Sequence, residues 1–112
     1  MTKIDLEWLH QRGNLHDARI TGIRVAGTSL EVDIDDEWVN ERGIGLPKGE
    51  KLPATLSFSA AATNGTIVRG SRISELLVQS DGSFIFFFTD ATSVLVRAAS
   101  AEVRSKLPDP AI

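Results

Sequence analysis

The chain has 112 residues, with 12 Lys and Arg against 15 Asp and Glu, two His and no Cys. An apolar share of 42% and a charged share of 24% match an ordinary globular domain and exclude disorder for its body. Without Cys there is no disulfide framework, thiolate nucleophile or Cys-ligated metal, and a net charge of −3 with no basic stripe argues against nucleic-acid partners.

The length fits one domain over residues 1–112. Asp5 and Glu7 fall where a secretory leader would need an unbroken apolar core. The longest apolar run, Phe84 to Phe88, is far too short to cross a membrane as a helix. A cytoplasmic protein with no membrane partner is therefore expected. The acids are unevenly spread: Glu31, Asp33, Asp35, Asp36 and Glu37 crowd one short segment.

In chain order, the opening predicts a short helix with Thr2 as N-cap and with Asp5 and Glu7 near the positive end of its dipole. Ile4, Trp8 and Leu9 supply its apolar stripe, and Gly13 suits the left-handed position that closes it. A first strand is expected from Ala18 to Val25. Its apolar phase switches at Thr21-Gly22, which predicts a bulge there. Gly27 supplies a turn. Leu30, Val32 and Ile34 then alternate with Glu31, Asp33 and Asp35, the pattern of a half-buried strand hairpinned to the first.

From Asp36 to Pro53 three Gly, two Pro and mixed charges predict a long loop, with one helical turn at Glu37 to Glu41. "ATLSFS" predicts a strand with Leu56 and Phe58 inward, "AAATNG" a turn, and "TIVRG" the start of another strand. "SRISELLVQS" fits strand or helix; the hairpin signal "SDG" behind it favours strand. "SFIFFFT" and "VLVRA" follow as strands apolar on both faces, which predicts cover on both sides and makes Phe84–Phe88 a candidate homo-oligomer interface. The tail from Ser100 is expected to form one or two helical turns before Pro108. The expected fold is mainly β (α+β): a curved antiparallel sheet, small barrel or sandwich of about six strands with short terminal helices.

Two groups of residues invite a functional reading. His16 and Asp17 are adjacent, so within a strand they would face opposite ways. The chemistry favours Asp17 bonding backbone donors where the strand starts, with His16 packing or bonding a carbonyl. The alternative is a small metal- or ligand-binding protein with its site around His10, His16 and Asp17. The six-residue gap between the histidines matches no helix-borne ligand pair, and no cofactor is implied. Asp33, Asp35, Asp36 and Glu37 form the second group. Counted from Asp33, the calcium-loop Gly and Glu positions hold Trp38 and Ile44, so no calcium loop is present. The acids read either as a solvated strand face or as a patch that steers a basic protein partner, with Trp38 and Asn40 at the start of the long loop as its contact residues; Trp38 reads equally as an interface anchor or as a core plug folded back. No nucleophile elbow or phosphate loop occurs.

At "GNLHDARITGIRVAGTSLEVDIDD" the chain resembles a loose group of small bacterial proteins. In these a short helix precedes His-Asp-Ala, here His16, Asp17 and Ala18, followed by a strand, a turn and an alternating Leu- and Asp-rich strand. Some of that group resemble immunity proteins of polymorphic toxin systems. The resemblance carries over no catalytic residue. The acidic strand and the long loop give the leading expectation, a non-enzymatic cytosolic protein-binding module, with an immunity-type protein that blocks a basic toxin as its concrete form.

Overall fold

The structure, a computed structural model, describes residues 2–11, 13–36 and 52–104. It is mainly β. Nine strands form among the described residues: β1 (Thr2–Lys3), β2 (Arg19–Ala26), β3 (Ser29–Asp36), β4 (Leu52–Ser59), β5 (Ala62–Thr63), β6 (Ile73–Val78), β7 (Phe84–Phe88), β8 (Ser93–Arg97) and β9 (Ser100–Val103). One helix, α1 (Leu6–Gln11), lies between β1 and β2. The strands pair antiparallel in two sheets, ordered β1-β9-β4-β3-β2 and β5-β8-β7-β6. Their inner faces share one core, in which Phe58 of the first sheet meets Phe84 and Phe86 of the second edge-on, with centroids 5.4 and 6.0 Å apart.

The helix starts later than Thr2 predicts. Thr2 pairs with Val103 in β1, and the Ile4 N–H donates to the Ala101 carbonyl at 2.9 Å, so strand pairing claims these residues. Asp5 is the cap instead. Its carboxylate accepts the Trp8 N–H at 2.8 Å, and Ile4 and Leu9, on either side of the first turn, are both buried. Gly13 closes the helix at φ +61°, as its sequence position predicts.

The first hairpin follows expectation. Gly27 and Thr28 form a two-residue turn, and the register slips between Ile20 and Gly22. That bulge puts Ile20, Ile23 and Val25 opposite Ile34, Val32 and Leu30 on one face. The helical turn expected at Glu37 to Glu41 lies outside the described residues. β4 carries Leu56 and Phe58 inward, and "SRISELLVQS" does form strand β6, with a bulge between Ile73 and Glu75.

Three further expectations fail. "TIVRG" is no strand: Ile67 alone turns into the core, and Gly70 and Ser71 spend their N–H groups on Ile20 and Val68 carbonyls rather than on a ladder. Residues 100–103 form β9 instead of helix, because buried Ala101 and Val103 alternate with more exposed Ser100 and Glu102 at period two. The Phe strand is covered on one face only. Phe84, Phe86 and Phe88 are buried, whereas Phe87 is 39% exposed beside half-buried Ile85. The first sheet already fills the space over one face, and among the described residues nothing lies over the other.

This asymmetry predicts unequal costs. Phe86→Ala should destabilise by about 3–5 kcal/mol, and Phe87→Ala by less than about 1 kcal/mol. Urea unfolding at micromolar protein checks both; equal losses would mean that Phe87 is covered after all.

Candidate functional site

The outer face of the first sheet follows from the hairpin register. A two-residue turn sets Ala26 against Ser29, and therefore Arg24 against Glu31. One strand over, Ser57 and Thr55 stand opposite Glu31 and Asp33. Arg24 donates from Nη2 to Asp33 Oδ1 at 2.8 Å and from Nε to Glu31 Oε1 at 3.2 Å, and its Nη1 also bonds Asp33. Thr55 Oγ1 donates to Asp33 Oδ1 at 2.7 Å, and Arg104 closes on Glu31 Oε2. Two guanidinium groups thus neutralise two of the clustered acids.

Gly22 makes room for this arrangement. A Cβ there would stand 2.7 Å from Asp33 Oδ2, so the carboxylate could not lie flat against the neighbouring strand to meet Arg24. The bulge and the ion pair share one residue.

Asp35 lies in the same outward phase, opposite Arg19 and Pro53, and no ion pair is found for it among the described residues. Asp36 pairs with Leu52 at the end of β3. Glu37, Trp38 and Asn40 lie outside the described residues. Of the clustered acids, the structure therefore ties Glu31 and Asp33 into a network and leaves Asp35 beyond it. Sequence reasoning missed Arg24 as their partner, although the two-residue turn already sets its register against Glu31; Arg104 was hidden behind the helix expected in place of β9.

The His-Asp corner is not yet strand. Gly13, Asn14, Leu15 and Asp17 have φ of +61°, +55°, +57° and +67°, and β2 begins only at Arg19. Full burial of Leu15 holds this costly backbone in place. Because the chain turns here, the adjacent side chains meet: His16 Nε2 lies 3.4 Å from Asp17 Oδ2. His16 Nδ1 donates to the Ser74 carbonyl of β6 at 2.9 Å. Both ring nitrogens thus have neighbours within the protein. His10 is exposed on α1. Among the described residues, no group of three or more His, Asp and Glu is placed to hold a metal ion.

A concavity lies elsewhere. A cleft of about 610 Å³ opens at one end of the sandwich, floored by Ile4, Phe84 and Ala101 and rimmed by Leu6, Gln79 and Asp81. His10, His16 and Asp17 do not line it. No helix among the described residues is long and apolar enough to cross a membrane. Comparison with protein-family models, with curated proteins and with solved structures finds no match.

The Arg104 hydrogen bond holds the Glu31 carboxyl below its ordinary range, and the Arg24 hydrogen bond does the same for Asp33. Hydrogen bonds from Ser83 and Thr92 similarly lower Asp81 and Asp90 within their turns. A lowered folded value means the unfolded chain binds protons first. This stabilisation is therefore complete above roughly pH 5 and is lost as pH falls below about 4. The thermal midpoint should drop across that window, and Arg24→Gln should lower it by a few degrees at pH 7 while flattening the acid limb. A parallel acid limb in the variant would detach the carboxylates from Arg24. Separately, Gly22→Ala should cost about 1 kcal/mol in urea unfolding by pushing Asp33 off its partners; wild-type stability would show that the face tolerates a Cβ there.

Proposed function

We propose that this chain is a non-enzymatic cytoplasmic protein-binding module of the immunity type. Its partner is a basic protein that docks on the outer face of β2, β3 and β4. The observation that carries the reading is the preset charged face itself. Glu31, Asp33, Arg24 and Arg104 hold one another in place on a sheet face that no described element covers. Side chains already fixed lose little further entropy on docking.

The internal pairing divides the labour. Glu31 and Asp33 have their charges met at home, so attraction at a distance falls to Asp35, Asp36 and Glu37, with Trp38 and Asn40 as contact residues. Such acids speed encounter more than they slow departure. The resemblance of the His-Asp-Ala segment to a group of small bacterial proteins, some of which resemble immunity proteins, supports the same reading.

The test begins with the immobilised chain, a lysate of the producing cells and mass-spectrometric identification of what is retained. For the protein so identified, Asp35→Lys/Glu37→Lys should cut the association rate constant about tenfold at low salt, with a smaller change in dissociation. An unchanged association rate would overturn this reading.

A further inference from the structure

The outer face of the second sheet is built differently. Leu77, Ile85 and Leu95 stand in one row across β6, β7 and β8, and Glu75, Phe87 and Ser93 form the next row. Leu77, Ile85 and Leu95 are half-buried, Phe87 is exposed, and no described element lies over them. Apolar residues concentrated on one uncovered sheet face mark a contact surface.

The charges on this face are arranged about Ile85. Glu75 lies one strand to one side, in the row of Phe87. Arg97 lies one strand to the other side, two residues past Leu95 in the opposite direction along the strands. Both are exposed, and Arg97 also acts on Asp81 of the nearby turn. An acid and a base at diagonally opposite corners of an apolar patch are complementary to the same patch turned over.

We infer that this face binds a second copy of the chain about a two-fold axis through Ile85. Turning the face over brings Glu75 of each copy against Arg97 of the other. It also sets Ile85 on Ile85 and Leu95 on Phe87 across the axis. With strands ~4.8 Å apart and ~3.3 Å per residue, the corner positions require the two sheets to cross near a right angle, one of the two common ways sheets pack. The contact is isologous, as a closed dimer demands. The same spacings give a face of roughly 300 Å² per copy, well under the ~800 Å² per partner of a stable interface, so the dimer is weak and depends on concentration.

The inference stands apart from the proposed heterologous partner, whose docking face is on the other sheet. Sedimentation velocity on the full chain, from about 10 µM to about 1 mM, tests it. The wild type should shift from monomer toward dimer across this range. Ile85→Lys should stay monomeric throughout. Glu75→Arg, at an exposed site that leaves the fold intact, should weaken association about tenfold by facing Arg97 of the partner copy with a like charge. Glu75→Arg/Arg97→Glu should restore it. A wild type that stays monomeric at 1 mM, a dimer that survives Ile85→Lys, or a double exchange no better than the single one would each overturn the inference.

Discussion

The two sheets of this protein are joined along one side by backbone, and much else depends on that seam. Asp17 and Ile20 donate to the carbonyls of Ile73 and Ser71, while Ile73 and Gly70 donate to those of Ala18 and Ile20, all at 2.7 to 2.8 Å. Arg19 and Arg72 form the bridge between them. A half-strand thus pairs with β3 on one side and with the start of β6 on the other. For the chain to leave α1 and enter both pairings it must reverse within five residues, which the left-handed residues Gly13, Asn14, Leu15 and Asp17 achieve. His16 completes the corner by bonding Ser74, the carbonyl just past the seam. The His16 ring and the Asp17 backbone thus both bond across the sheet junction.

Alternation was the strongest signal in the chain, and it held wherever it was clean. Leu30, Val32 and Ile34 are buried as their spacing requires, and Gly22 marked its bulge because a strand glycine signals either a bulge or a close approach; here it signals both. What stayed hidden was non-local. Nothing near Thr2 says that Val103 will claim it, and the four-residue alternation at Ser100–Val103 is too short to decide for strand over helix until β4 offers an edge. The doubly apolar Phe strand misled for a related reason. Local composition records that both faces can be buried, but only the number of available layers decides how many are. The candidate site was legible as residues and illegible as chemistry: the acids were visible, while their neutralisation by Arg24 and Arg104 depended on register and on an unforeseen strand.

The two outer faces consequently differ in kind. One is charged and internally matched, so that its net field is small and its side chains are fixed. The other has apolar side chains along its middle, with single charges at its corners. Fixed ion pairs on an exposed face contribute little to stability. Leu77, Ile85, Leu95 and Phe87 likewise contribute less to the core than their buried neighbours. Neither face is what fold stability alone would select.

The edges narrow the other common route by which a β protein binds its own kind. Strand addition needs an open, reasonably long edge. At one side of the sandwich the seam occupies the start of β6 and the first half of β2, and beyond its bulge β2 carries Arg24, a charge that discourages pairing. At the other side both edges, β1 and β5, are two residues long and can offer at most a bond or two. Among the described strands the edge left open is confined to the four-residue ends Glu75–Val78 of β6 and Ile23–Ala26 of β2, which favours association through faces. A face selects its partner by side-chain pattern rather than by generic backbone pairing, and the pattern on β6 to β8 matches its own inverted image.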